Sequence, residues 1–228
     1  MPEVLDQLPR LLPLQHERRG GTSKDGRRER TKAALVQAGQ ALFSQRSTEA
    51  VSVDNIVQAA AVSKGSFYNH FEDKDALIRE VAMLVRTDVE TQVAAANVDV
   101  SDAPRRSARA MCVYARMALD DPERGRLIAK LLTQDMSAEA PINRGLVDDT
   151  GRGLADGRYG IATVEMGVIF TLGITQALVA RVLLEQSRLG ALSIAQQLVT
   201  LKLRGLGLPS LEAEMIAAQA ADDVIRSA

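Results

Sequence analysis

The side chains best suited to chemistry are concentrated in one short segment, residues 63–71. Phe67 and Phe71 are one helical turn apart, so both can pack on the same side of a helix against a core. Gly65 has no side chain and would let another molecule approach the backbone closely. The remaining polar side chains then face outward; they are Lys64, Ser66, Tyr68, Asn69 and His70. Such a face is suited to contacting another molecule.

Two short helices joined by a tight turn would position this face. Ser52 is a candidate N-cap for a helix of about eight residues, and Ser63 is a candidate N-cap for a second helix that runs to about His70. Ala61 and Val62 form the connection. These dimensions match a helix-turn-helix, whose second helix lies in the major groove of DNA. The alternative for Lys64 and Asn69 is a solvated helix face, and His70 could cap or pack instead of touching DNA.

The charge distribution agrees with this prediction. The whole chain has a net charge of -1, so any affinity for nucleic acid must come from a local basic patch. Between Arg18 and Arg79 there are eleven Lys or Arg against seven Asp or Glu. A basic cluster opens the first predicted helix, which runs from Arg27 to Ser44, and it can contact phosphates or the minor groove. The cluster consists of Arg27, Arg28, Arg30 and Lys32; a solvated tail is the alternative.

Other functional classes find little support in the sequence. Cys112 is the single cysteine, so no internal disulfide is expected and a reducing compartment is favoured. With only His16 and His70 available, we expect no metal site, no cofactor and no enzyme activity. The longest uncharged apolar stretch, Met166 to Ala180, is short for a membrane span, and the N-terminus does not resemble a secretory signal. We therefore expect a cytoplasmic protein without a membrane partner.

The rest of the chain is predicted to be helical. Alanine and leucine dominate, the apolar spacing is that of helices, and hairpin signals are lacking, so the fold class is all-α. We expect a flexible N-terminal extension over 1–24 and a three-helix helix-turn-helix domain over 25–74. A helical ligand-binding and dimerisation domain of about seven helices should cover 75–228. A long helix capped by Asp73 would join the two domains.

The segment from Val53 to Leu77 resembles the DNA-binding signature of the tetracycline-repressor (TetR) family. Its most telling part is Val62-Ser-Lys-Gly-Ser-Phe-Tyr-Asn-His-Phe71, followed by Lys74 and Leu77, and the resemblance covers residues 28–77. Ala61 departs from the family pattern, which usually has glycine in this turn. An alanine with positive φ there would cost about 1 kcal/mol.

The resemblance implies a homodimeric repressor that binds a near-palindromic operator in double-stranded DNA and is released by a small molecule. It implies phosphate contacts from Ser52, Tyr68 and Lys74. It places Ser63, Lys64, Ser66 and Asn69 in the major groove. Two recognition helices would sit about 34 Å apart, and a ligand would tilt the helix that begins at Lys74. The alternative is a DNA-binding regulator without a small-molecule switch, either controlled by a protein partner or acting as an activator.

The site of dimerisation and the ligand site are less well defined by sequence. The predicted helices Thr163–Ser187 and Ser193–Leu206 are apolar enough for an interface, and core packing is the alternative. Several methionine and aromatic side chains could line a ligand pocket, and core packing is the alternative for each of them. They are Met111, Tyr114, Met117, Met136, Met166 and Phe170. Arg116 and Arg181 could bind an anionic ligand or pair with carboxylates.

Overall fold

A computed structural model describes residues 23–132, 137–185 and 187–226. Over these ranges the regular elements are ten α-helices and three short helical turns, with no strand. The all-α prediction is confirmed. The first three helices are α1 (Ser23–Phe43), α2 (Val53–Ala59) and α3 (Lys64–Tyr68). Because α1 begins four residues before the predicted start at Arg27, residues 23 and 24 belong to a helix, while the rest of the expected extension lies outside the described residues.

Local capping fixes the starts of α2 and α3. The Ser52 hydroxyl accepts a hydrogen bond from the backbone N–H of Asn55, and the Asn55 side chain accepts one from the Ser52 backbone N–H. The Ser63 hydroxyl accepts a hydrogen bond from the backbone N–H of Ser66. Each cap satisfies backbone N–H groups that have no partner inside the helix. Both predicted N-caps are confirmed.

Packing holds these short helices, which would be marginal alone in water. Their common core contains Leu35 of α1, Ile56 of α2 and Phe67 of α3, each fully buried. The rings of Phe67 and Phe71 lie 5.7 Å apart between centroids, so the predicted inward pair is confirmed. The outward polar side of α3 is thereby fixed relative to α1 and α2.

Seven further helices follow, as the sequence predicts. They are α4 (Lys74–Ala96), α5 (Ala103–Asp120), α6 (Pro122–Leu132), α7 (Arg144–Ala155), α8 (Val164–Val182), α9 (Arg188–Gly205) and α10 (Ser210–Ala221). A 3₁₀ turn, Pro141–Asn143, precedes α7, and a π-helical turn, Asp222–Arg226, follows α10. The main difference is at α9, which begins five residues before the predicted Ser193. The Ser187 hydroxyl caps it by accepting from the Gly190 N–H.

Helix α5 is the centre of the larger helical unit and packs against α4, α6, α7, α8, α9 and α10. Among its buried residues are Ala108, Cys112, Val113 and Ala115, each with no exposed surface. Since α4 packs against both α1 and α5, it connects the helix-turn-helix to this unit directly. A movement of the helices around α5 can therefore be transmitted through α4 to the unit formed by α1, α2 and α3.

Helix α8 is apolar on most sides. In the described parts of the chain it is the one helix long and apolar enough to cross a membrane by length and composition. It packs against α5, α6, α7 and α9. Gly167 lies at the α7 contact, where an added Cβ would stand 2.5 Å from Ile161 Cδ1 and 2.8 Å from Thr150 Cγ2. These contacts identify α8 as a core helix with one outward face.

Lys202 of α9 is fully buried in the contact with α5. Its Nζ donates hydrogen bonds to the Ser107 backbone oxygen at 2.7 Å and to Ser107 Oγ at 2.8 Å. No carboxylate lies within ion-pair distance of it among the described residues. Burial therefore lowers the pKa of Lys202 to about 7.

Candidate DNA-binding site and ligand cavity

The start of α3 presents small and cationic side chains to solvent. Lys64, Gly65 and Asn69 are exposed, and the Tyr68 side chain, at 53 % exposure, packs edge-on against Phe67 with its ring centroid 5.3 Å away. Ser63 Oγ and Ser66 Oγ lie 2.9 Å apart, so the two hydroxyls share a hydrogen bond. The fold brings these predicted contact residues together on one surface.

Lys64 has a partner that the sequence reasoning missed. Its Nζ lies 3.0 Å from Oδ1 of Asp54 on α2, and the hydrogen bond with this carboxylate raises the pKa of Lys64. Both side chains are exposed, so the pair contributes little to stability. Contact between Lys64 and DNA would require this pair to open or rearrange. Asp54 could have been found from its place in the first turn of α2, ten residues before Lys64.

The turn between α2 and α3 has the backbone conformation expected for it. Ala61 has φ of +53°, the left-handed region that favours glycine. The Val62 N–H donates to the Val57 carbonyl at 3.0 Å and closes the turn after α2. The positive φ expected at Ala61 is confirmed.

Lys74 ties the start of α4 to the loop before α2. Its Nζ donates to the carbonyl oxygens of Thr48 at 2.9 Å and Val51 at 3.0 Å. Ser52, the predicted phosphate ligand, follows Val51 directly. Two of the three Lys74 donors are used within the domain, so its phosphate contact, which stays a prediction, would rely on the third donor and on charge.

His70 lies at the junction of α3 with α1. Burial lowers the pKa of His70, and the positive charges of Arg28 and Lys32 lower it further. A neutral imidazole adds no positive charge to a phosphate contact at neutral pH. Arg27 and Arg28 themselves are exposed on α1, so this basic cluster begins a helix that packs on the domain.

A second candidate site is a cavity inside the larger helical unit. It has a volume of about 360 Å³ and is enclosed by residues of α4, α5, α6, α7, α8 and the 3₁₀ turn Pro141–Asn143. Apolar walls are contributed by Val93, Met111, Leu132, Ile142, Leu146 and Leu172. Its size falls in the range of small-molecule pockets, roughly 300–1,000 Å³.

Two of the six predicted ligand-pocket residues, Met111 and Tyr114, line this cavity. Met117 is buried in the core but is not part of its lining. Met166 and Phe170 also lie outside it, because α8 turns them outward, where they are 51 % and 38 % exposed. Met136 lies outside the described residues.

The sequence model for bacterial regulatory proteins of the tetR family matches residues 35–81, which span α1 to the start of α4. This N-terminal part of the chain is therefore similar in sequence to the tetR family. The HTH-type transcriptional repressor DhaR of Mycobacterium sp. strain GP1 is 38 % identical over 72 residues, which are 32 % of this chain and 36 % of DhaR. This chain thus aligns with about a third of that curated relative's length.

Similarity of fold extends much further than similarity of sequence. The structure of RolR in complex with resorcinol aligns with a TM-score of 0.70 and 21 % identity, covering 86 % of this chain and 96 % of RolR. The structure of RolR without ligand aligns with a TM-score of 0.65 and 25 % identity, covering 82 % and 96 %. The arrangement of α4 to α10 is therefore similar to that in RolR, and the family model matched by residues 35–81 describes bacterial regulatory proteins.

A cluster of polar side chains lines the cavity on the α4 side. Tyr114 donates a hydrogen bond to Glu90 Oε1, and Arg86 Nη2 donates one to Asn143 Oδ1. Burial raises the pKa of Glu90, although the Tyr114 hydrogen bond and the Arg86 charge oppose that shift. The sequence reasoning missed Arg86 and Glu90; the available signal was a pair of charges within the apolar stripe of α4, which includes Val85 and Val89.

The two arginines suspected of binding an anion do not occupy this position. Arg116 Nη2 donates to Gln92 Oε1 at 3.1 Å, and Arg181 is exposed on α8. Neither residue lines the cavity.

Proposed function

We propose that this chain is a cytoplasmic, homodimeric transcriptional repressor that binds a near-palindromic operator and is released from it by a small molecule. The observation that carries the proposal is the exposed polar face of α3, held by the core of a TetR-family DNA-binding domain. We assign residues 25–74 to DNA binding and 75–228 to ligand binding and dimerisation.

On the operator, α3 would enter the major groove with Ser63, Lys64, Ser66 and Asn69 near the base edges. Gly65 would let the backbone approach closely. Tyr68, Ser52 and Lys74 would contact phosphates, and Arg27 and Arg28 would contact the backbone or adjacent minor groove. His70 would either position α3 on α1 or donate a hydrogen bond from its imidazole to a phosphate. These roles follow from exposure on one surface and from the donors that each side chain offers.

Dimerisation is supported by outward apolar side chains on α8 and α9. On α8 these are Met166, Phe170 and the nearby Leu184, and on α9 they are Leu189 and Leu201, all with more than a third of their surface exposed. Burying such a surface against a second copy would stabilise the pair through the hydrophobic effect. A two-fold axis there would present two α3 helices to successive major grooves, about 34 Å apart.

Release is supported by the cavity beside α4. The similar fold of RolR was solved with resorcinol bound, so this type of fold holds a small molecule in that protein. A ligand that prefers one arrangement of α4 would shift the population of dimers toward that arrangement. Because α4 also packs on α1, the shift changes the separation of the two α3 helices.

The test is selection of bound genomic DNA fragments by the purified full chain, followed by binding titrations on a selected duplex. Wild type should enrich a two-fold-symmetric sequence. Lys64→Ala should change the preferred bases at one position in each half-site, with a loss of about 1–3 kcal/mol on the original duplex. Arg226→Ala, in the last helical turn, is the charge-matched control and should bind as wild type does. Recovery of fragments without a common sequence would refute the proposal.

A further inference from the structure

We propose that the cavity beside α4 binds a small organic acid, whose carboxylate pairs with Arg86 while its apolar body fills the remaining space. This inference rests on the proposed function and names the ligand class of the same site. The decisive feature is a buried cation at the cavity wall that has no carboxylate of the described residues in ion-pair contact.

Arg86 is 1 % exposed and lines the cavity. Its Nη2 donates to Asn143, a neutral amide, and the guanidinium also interacts with the Tyr114 hydroxyl, while Nε and Nη1 have no partner among the described residues. No carboxylate of the described residues lies within ion-pair distance of its guanidinium. A buried charge without a counter-charge is costly, so an anion that reaches these donors gains a large electrostatic advantage.

The other charges around the cavity already have partners. Arg106 Nε lies 2.7 Å from Asp149 Oδ1, and Arg106 Nη1 also donates to the carbonyls of Asn97 and Val100. Glu90 accepts a hydrogen bond from the Tyr114 hydroxyl, and burial raises the pKa of Glu90 against the opposing effects of that hydrogen bond and of the Arg86 charge. Arg86 is therefore the cation at the cavity wall that keeps unpartnered N–H donors and has no carboxylate of the described residues in ion-pair contact.

The walls and the volume of the cavity limit the polarity and the size of the rest of the ligand. The cavity is also lined by apolar side chains, among them Val93, Leu146 and Leu172. A volume of about 360 Å³ accommodates roughly a dozen non-hydrogen atoms, taking the space of one water, about 30 Å³, for each. A compact aromatic or branched acid fits these limits, whereas a sugar or nucleotide would bury many polar groups against apolar walls.

The position of Arg86 connects acid binding to DNA binding. It lies twelve residues after Lys74 on α4, roughly 18 Å along the helix axis. A carboxylate that attracts Arg86 also competes with its bond to Asn143, which ties α4 to the turn before α7. Acid binding thus acts directly on the helix that carries the DNA-binding domain.

The experiment is calorimetric titration of the full chain with acids and their uncharged amides. The probes are benzoate and benzamide, phenylacetate and phenylacetamide, 3-methylbutanoate and 3-methylbutanamide, with resorcinol as a neutral phenol. For at least one pair, wild type should bind the acid at least tenfold more tightly than the amide. Arg86→Gln should abolish that preference, Arg86→Lys should retain part of it, and Arg116→Gln, an arginine outside the cavity, should leave it unchanged.

Each outcome has a definite meaning. Equal or tighter binding of the amides or resorcinol, or no binding of any acid, overturns the inference. An acid preference that survives Arg86→Gln in a folded variant also overturns it, and the wild-type comparison stands even if that variant does not fold. The proposed function is judged separately, because the DNA selection uses no ligand: enrichment of a symmetric sequence together with failure of the acids would remove the ligand class alone.

Discussion

Replacing Lys202 with methionine is expected to raise the free energy of unfolding, relative to wild type, by about 2 kcal/mol more at pH 7 than at pH 9. Lys202 is fully buried, its partners are the carbonyl and hydroxyl of Ser107, and its pKa falls from 10.5 to about 7. In the unfolded chain the lysine recovers its ordinary pKa. Between pH 7 and 10.5 unfolding therefore takes up a proton, and the stability of wild type rises with pH.

The magnitude follows from this pKa difference. Each unit corresponds to 1.36 kcal/mol, so the penalty for placing the lysine in its buried site reaches about 5 kcal/mol below pH 7 and disappears above about pH 10.5. Between pH 7 and pH 9 the wild-type free energy of unfolding should rise by about 2 kcal/mol relative to Lys202→Met. Methionine has a similar length, fills the same space and carries no charge.

The assay is urea unfolding followed by circular dichroism at pH 6, 7, 8 and 9, with the difference between variant and wild type as the quantity measured. Other titrating groups are common to both proteins and cancel in that difference. Arg204→Met, an exposed position on the same helix, should show no such pH dependence. A stability difference between Lys202→Met and wild type that stays constant from pH 6 to 9 would refute the reasoning, because Lys202 would then keep an ordinary pKa.

Three further changes have defined outcomes. Ala61→Gly should raise the free energy of unfolding by about 1 kcal/mol, because glycine adopts the φ of +53° without strain; thermal unfolding measures it. Gly153→Ala should destabilise by about 1–3 kcal/mol, since the new Cβ would stand 2.3–2.4 Å from ring atoms of Tyr159; urea unfolding measures it. Asp54→Ala should tighten DNA binding severalfold with little change in stability, because the substitution frees Lys64 and removes a negative charge beside α3. Fluorescence anisotropy with a labelled duplex measures this change in affinity.

The controls for these changes lie nearby in the chain. Gly151→Ala, in the same helix as Gly153, meets one side-chain atom at 3.9 Å and should be neutral or stabilising. Ala60→Gly, next to Ala61 but with φ of -78°, should destabilise where Ala61→Gly stabilises. For Asp54, weaker DNA binding by the alanine variant would show that its carboxylate supports the complex.

The helix-turn-helix was predictable because its signals are local. Ser52, Ser63 and Asp73 each precede a helix and cap it through their own side chain, and the Phe67–Phe71 spacing identifies the inner face of α3. Capping and i,i+4 spacing depend on residues a few positions apart, which a sequence displays directly.

The interior of the larger unit was predicted less well because it depends on packing between distant segments. Helix α8 is apolar on most sides, so its sequence does not reveal that Met166 and Phe170 face outward. Lys202 and Arg86 look like ordinary surface residues in sequence, and both are buried only because α5 and the Asn143 turn cover them. Their environments are set by residues 95 and 57 positions away.

The most direct test of the central claim is the stoichiometry and footprint of the full chain on a duplex enriched from genomic DNA. Sedimentation equilibrium should give two chains on each duplex, or a pair of such dimers. Hydroxyl-radical footprinting should show two protected half-sites related by two-fold symmetry, with centres about 34 Å apart. One chain on a single asymmetric site, or protection that moves freely along the duplex, would contradict the account of a dimeric, sequence-specific regulator.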